Sequence, residues 1–305
     1  TVMGLDLMHG GHLTHGSPVN HSGRHHKIVS YHVNDKTERL DYDEIESLAR
    51  EHKPKMIIAG YTSYPLAPDF RRFREIADSV GAYLMADISH TAGLVAAGVY
   101  PNPIGIADVI SFTTHKTLCG PRGACIVTTR PELADQVDRA VFPGEQGGPH
   151  INKIAAIAVA MRIARTEPFK ALQAQMVNNA KALAAGFTEV GVRVAHGGTD
   201  THIVLIDTKS CAGTPANPLM GDAAARILDV AGLVANRNTI AGDKSPLRPS
   251  AVRFGTPWVT QRGLREDDMR EIAAAAASIL KSARPFTLAG ARSTSYRAKV
   301  DFDAL

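Results

Sequence analysis

An alternation of short apolar runs and helical segments through the middle of the chain constrains the fold more than any other feature. Lys55–Tyr61 is an apolar run that ends in turn residues, and Asp69–Val80 follows with apolar side chains at helical spacing. Asp69 suits an N-cap, because its short carboxylate can accept from free N–H groups of the first turn, and Gly81 suits a stop. Tyr83–Ile88, Ala107–Phe112 and Ala124–Thr128 are further runs of strand length, and Pro131–Val141 reads as a helix with proline in its first turn. Strands alternating with helices close into a mostly parallel α/β sheet covered on both faces. In such sheets the residues that do chemistry gather where strands end and loops begin.

The texture changes after Gly147-Gly148-Pro149. Ile151–Ala164 is an Ala/Ile-rich run with helical spacing, and a second helix is expected around Ala171–Phe187. Strand signals at Thr201–Asp207 and Ala251–Phe254 then mix with helical ones at Asp222–Val230 and Asp267–Lys281. This predicts a smaller C-terminal α+β domain joined by a long helix, with residues 1–163 in the large domain and 164–305 in the small one. A chain of 305 residues is long enough for two such units.

Composition narrows the classes further. The net charge of +4 is spread along the chain, without the clustered basic stripe that nucleic-acid binding requires. No apolar run reaches the length of a membrane span. The three cysteines are odd in number and lack zinc spacing, which fits a reduced, cytoplasmic setting.

Asp87 ends the apolar run Met85-Ala86-Asp87-Ile88, and Lys116 lies just past the next one, in Thr113-Thr114-His115-Lys116. A pyridoxal-phosphate enzyme needs a lysine for the Schiff base and a carboxylate facing the pyridinium nitrogen. Neighbouring strand ends can bring both to one ring. Either residue alone reads equally well as a loop cap or a solvated lysine; the pair favours chemistry. His90, just beyond Asp87, could meet the ring's phenolic oxygen, and His115 could touch the ligand or orient the lysine. Arg122, in Gly120-Pro121-Arg122-Gly123, stands near the lysine in sequence.

Gly147 and Gly148 precede a helical run, where free backbone N–H groups can approach an anion; a plain turn is the blander reading. His9, His12 and His15 sit among glycines. A zinc site competes here, but no cysteine or carboxylate lies at ligand spacing, and an imidazole can instead stack on an aromatic ring. Arg253 ends a strand in the second domain, where it could bind a substrate carboxylate in two-pronged fashion or form a surface ion pair.

Read together, the strings His9–Asn20 (HGGHLTHGSPVN), Ala86–Pro103, Thr113–Gly123 (TTHKTLCGPRG), Phe142–Pro149 (FPGEQGGP), Gly197–His202 (GGTDTH) and Val252–Pro257 (VRFGTP) resemble the serine hydroxymethyltransferase family, in family order along the chain. The resemblance implies a fold-type I pyridoxal-phosphate enzyme with a seven-stranded sheet. It implies that the enzyme transfers the hydroxymethyl group of serine to tetrahydrofolate, giving glycine. Lys116 would hold pyridoxal 5'-phosphate, Asp87 would pair with its ring nitrogen, and His12 would stack on the ring. Thr62, His90, His115 and Thr113 would line the cofactor, with Arg122 nearby. Gly147 and Gly148 would bind the cofactor phosphate of a neighbouring subunit, making a homodimer or tetramer with shared sites. Arg253 would hold the amino-acid carboxylate. Leu7, Gly11, Leu13 and the loop from Asn238 through Ser245, Pro246 and Leu247 would face the folate.

The family also carries an N-terminal segment with a catalytic glutamate and tyrosines, so the expectation is a fragment of a longer chain. His21, Ile88-Ser89, Glu145, His150-Ile151-Asn152 and Tyr61-Thr62 depart from the family pattern. They keep open a sister activity on α-methylserine or threonine. A non-catalytic relative that binds RNA or a protein partner is a third reading, which intact Asp87, Lys116 and Arg253 oppose.

Overall fold

The computed structural model describes residues 1–289, 294–301 and 303. Its main sheet contains β1 (Val2–Leu5), β2 (Ile28–Tyr31), β3 (Met56–Gly60), β4 (Tyr83–Asp87), β5 (Val109–Thr113) and β6 (Ala124–Val127), in the order β2-β1-β3-β4-β5-β6. The first five strands are parallel, and β6 lies antiparallel on β5. The alternation of runs predicted the parallel part. It did not predict the reversal, which follows from the Thr114–Gly123 loop: with no crossover helix, the chain can only turn back. Among the described residues the sheet has six strands where seven were expected. Among the described residues nothing pairs with the outer edge of β6, where Ile126 is 46% exposed.

Short helices α1 (His21–His25) and α4 (Ala92–Ala96) flank the longer α2 (Tyr42–His52) and α3 (Phe70–Val80). Asp69 caps α3 as anticipated, accepting from the N–H groups of Arg71 and Arg72, and Gly81 ends it in the left-handed region at φ 68°. Asp41 caps α2 in the same way. Tyr31, Ile45, Ile57, Phe73, Ile76, Leu84 and Leu94 are fully buried between these helices and the sheet. Each such side chain contributes about 1.5–3 kcal/mol of burial.

After α5 (Pro131–Arg139) helical backbone runs on through Ala140 to the expected Val141, and the chain kinks at Phe142 and Pro143. Next come α6 (Ile151–Ala164) and the long α7 (Glu167–Glu189). Phe169 and Val177 of α7 join the first core, whereas Leu183 and Phe187 join a second. The second core lies under an antiparallel sheet of β7 (Ile203–Asp207), β10 (Asn236–Asn238) and β11 (Ala251–Gly255), ordered β10-β11-β7. Between β7 and β10 lie the two-residue strands β8 (Gly213–Thr214) and β9 (Asn217–Pro218) and helix α8 (Gly221–Val230). Helices α9 (Pro257–Gln261) and α10 (Glu266–Ser282) follow, then a hairpin of β12 (Arg284–Ala289) and β13 (Thr294–Lys299).

The loops around Glu38 and His196 tie the two cores together. Both residues adopt positive φ, 55° and 61°. The Glu38 carboxylate accepts from the His196 N–H at 2.6 Å and from Arg193, which also reaches Asp207 on β7. Ala67 N–H donates to Asp200, and Asp200 N–H donates to the Pro65 carbonyl. These contacts set where β11, and so Arg253, stands against the ends of β3 to β5.

Candidate active site

Asp87 closes β4 opposite Gly60, the last residue of β3. A Cβ on Gly60 would lie 2.2 Å from the Asp87 carbonyl oxygen, so only glycine leaves room there. The Asp87 carboxylate accepts from His15 Nε2 at 2.9 Å and from the Ser89 N–H at 3.0 Å. Burial alone would push this carboxyl's pKa up. The His15 hydrogen bond and charge, with help from Ser89, outweigh burial and hold it far below the usual carboxylate range. A largely shielded, ionised carboxylate therefore sits at the strand end. His15 lies in the HGGHLTHG stretch, and that motif is the only signal of its role in the sequence.

Lys116 follows β5, and buried neighbours brace its loop. Thr117 Oγ1 donates to the His90 carbonyl at 2.8 Å and accepts from the Gly93 N–H at 3.0 Å; Gln173 donates to the Thr117 carbonyl at 2.7 Å. Gly120 N–H donates to the Thr114 carbonyl, and Thr114 Oγ1 donates to the Pro121 carbonyl, folding the loop onto itself. Burial lowers the Lys116 pKa; Asp87 opposes this, and Arg253 and Arg122 add to it. The amine thus moves toward its neutral, nucleophilic form. Thr113 Oγ1 donates to the Ser89 carbonyl, tying β5 to the loop after Asp87.

His90 and His202 stack with centroids 6.0 Å apart and planes 11° apart. Burial drives His90 well below its usual pKa, with Lys116, His202 and Arg253 adding to it. His202 is pushed down to about 3, first by burial and then by Arg253 and Lys116. Both rings are neutral at physiological pH. His202 belongs to the GGTDTH string but received no role from sequence. His12 caps its own turn through Thr14 and lies 5.7 Å from the His15 ring. Burial, then His15 and Lys116, lower its pKa against Asp87. The three motif histidines diverge: His9 Nδ1 accepts from the Val33 N–H, His12 caps its turn, and His15 meets Asp87.

Arg253 crosses from the second sheet, donating to the Thr62 carbonyl at 3.0 Å and to Asn236 Oδ1 at 3.1 Å. Among the described residues, four buried polar atoms with no partner belong to residues adjoining Arg253 or Lys116 in sequence, strand pairing or electrostatic reach: Thr62 Oγ1, His115 Nδ1, His202 Nδ1 and Asn238 Oδ1. An unpaired buried polar group costs about 1–3 kcal/mol, so several together mark a place built for a polar ligand. A lysine, an ionised carboxylate facing it, an unpartnered hydroxyl and a guanidinium fit pyridoxal phosphate and an amino acid.

Other expected residues lie apart. Gly147 and Gly148 are in an exposed loop, with nothing within 4 Å of a Cβ at either. Leu7, Gly11 and Leu13 are near His12; at Gly11 a Cβ would strike the Leu5 carbonyl at 2.0 Å. Ser245 Oγ accepts from the Leu247 N–H, and Pro246 and Leu247 are exposed. Among the described residues no hydrogen bond joins this loop to the Leu7–Leu13 stretch, although Ala241 packs on the first core.

A model of the serine hydroxymethyltransferase family matches residues 1–276. A curated serine hydroxymethyltransferase from Synechococcus sp. (strain JA-3-3Ab) is 51% identical over 279 residues, covering 89% of this chain. The chain spans 64% of that relative's length. The mostly parallel sheet with a smaller antiparallel one is the fold-type I architecture of pyridoxal-phosphate enzymes. The order and spacing of the motifs, the meeting of Asp87, His90, His202 and Arg253 near Lys116 and the extent of the match agree: the chain belongs to the serine hydroxymethyltransferase family.

Proposed function

We propose that the protein containing this chain transfers the hydroxymethyl group of serine to tetrahydrofolate, giving glycine and 5,10-methylenetetrahydrofolate, with pyridoxal 5'-phosphate as cofactor. The observation that carries this reading is the ionised, buried Asp87 carboxylate beside a desolvated Lys116, across from Arg253. When bound, pyridoxal phosphate supplies a sink for the electron pair left on the amino acid's α-carbon.

The chain's own residues do the rest. Lys116 Nζ would hold the cofactor, and Asp87 would keep a proton on its ring nitrogen. His15, through its hydrogen bond to Asp87, keeps that carboxylate ionised for the task. His12 would stack on the ring. Thr62 Oγ1 and His90 would meet its phenolic oxygen, and His115 and Thr113 would orient the lysine loop. Arg122 adds positive charge nearby. Arg253 binds the serine carboxylate with its planar fork. Leu7, Gly11, Leu13, Asn238, Ser245, Pro246 and Leu247 face the folate.

Gly147 and Gly148 would bind the phosphate of a partner subunit's cofactor, and a complete site would then need a homodimer, alone or within a tetramer. The exposed apolar side chains of Phe142, Ile151, Ile154, Val159 and Ile163 beside them support a subunit interface there. The two cores support two domains, with the change from one core to the other falling inside α7, after Val177, rather than at the expected boundary between residues 163 and 164. Three free cysteines are compatible with a cytoplasmic enzyme.

The test uses full-length protein. Added pyridoxal phosphate should give an absorbance band that Lys116→Ala abolishes, and serine with tetrahydrofolate should turn over faster than α-methylserine or threonine. No band in the wild type, or a clear preference for either alternative substrate, sinks the proposal.

A further inference from the structure

A second, basic site lies on the opposite face of β10 from Arg253. Asn236 of β10 reaches Arg253 across the strand pair. Arg237, next along, projects to the other face because successive side chains of a strand alternate. There it pairs with Asp222 of α8 at 2.6 Å and borders a pocket of about 300 Å³. Leu247, Arg248, Tyr296 and Arg297 complete its walls. The Arg248 guanidinium lies 5.9 Å from the centroid of the Tyr296 ring. Three guanidiniums thus line one cavity with the Asp222 carboxylate, which is paired with Arg237 and, at 3.2 Å, with Arg226. Among the described residues Arg248 and Arg297 form no ion pair with a carboxylate.

Guanidiniums gathered round one cavity repel one another until an anion joins them. Tyr296 and Arg297 come from β13, outside the residues 1–276 that the family model matches. The pocket is therefore built mostly from the family scaffold, with one wall supplied by the hairpin.

We propose that this pocket binds a small, multiply charged anion carrying phosphate or clustered carboxylate groups, held by Arg248 and Arg297 with Arg237 behind them. Arginine forks suit such groups because they donate two parallel N–H bonds to one planar or tetrahedral anion. Arg237 and Arg248 also stand at the two ends of the 238–247 loop. An anion between them holds both ends of the segment proposed to face the folate. This last consequence rests on the proposed function; the binding does not.

Calorimetric titration of the full-length, cofactor-saturated protein with pyrophosphate tests the site. Saturable binding is expected, weakened about tenfold by Arg297→Ala and by Arg248→Ala. Arg297→Lys, which keeps the charge and the hairpin but loses the fork, should fall between wild type and Arg297→Ala. Arg71→Ala, an exposed arginine on α3, should leave binding unchanged. Citrate in place of pyrophosphate separates carboxylate from phosphate ligands, and binding of either supports the site. Absence of saturable binding by both probes overturns the proposal. So does binding that survives Arg248→Ala and Arg297→Ala together, or that saturating tetrahydrofolate displaces in full. Failure of the enzyme assignment is read separately, from the cofactor band and Lys116→Ala.

Discussion

Replacing His15 with alanine isolates the hydrogen bond that keeps Asp87 ionised. His15 is buried and donates from Nε2 to a carboxylate that is itself largely shielded from water. A hydrogen bond to a buried charged group is worth about 1.5–3 kcal/mol, which at 1.36 kcal/mol per pKa unit is roughly one to two units. With the bond gone, burial remains and pushes the Asp87 carboxyl up further. A carboxyl depressed in the folded protein stabilises it fully above the unfolded value of about 3.9, and that contribution fades as pH falls through the folded pKa. The variant should therefore lose about 2 kcal/mol at neutral pH, lowering the melting temperature by about 4 °C. The gap to wild type should narrow as the pH drops below about 4. Activity of the cofactor-loaded enzyme should gain an acid limb that the wild type lacks. The decisive comparison is a double-mutant cycle: in an Asp87→Asn background, His15→Ala should cost less than about 0.5 kcal/mol. An equal cost in both backgrounds would refute the claim that His15 acts through Asp87.

Two further substitutions follow from the same geometry. Gly60→Ala places a methyl 2.2 Å from the Asp87 carbonyl oxygen, so it should destabilise the protein by about 1–3 kcal/mol and speed cofactor loss on dialysis. Unchanged melting and cofactor retention would show that the strand end yields freely. Arg253→Lys keeps the charge but loses the fork that reaches Thr62 and Asn236. The KM for serine should rise about tenfold or more with kcat little changed; a fall in kcat alone would place Arg253 elsewhere in the reaction.

The legible parts of this protein were the ones with local causes. Asp69, Gly81 and the periodicity between them specify α3 without reference to the rest of the chain, and the apolar runs before Asp87 and Lys116 specify the strand ends on which both stand. Strands β1 and β2 are four residues each and gave no distinct period, and α2 buries little beyond Ile45 and Ala49. They were missed because short or mostly polar elements owe their form to packing. The hairpin of β12 and β13 also went unread.

By itself, the sequence determined an α/β sheet, a lysine and a carboxylate on neighbouring strand ends, and an ordered set of motifs that assigns the family. Only the tertiary structure decided what acts on those groups. His15 meets Asp87 across 72 residues, and Arg253 reaches Thr62 across 191. Gly60 makes the space for Asp87, His202 backs His90, and β6 runs antiparallel to β5. Such pairings depend on where the packed core brings distant backbone together, and no short-range pattern of residues encodes that distance.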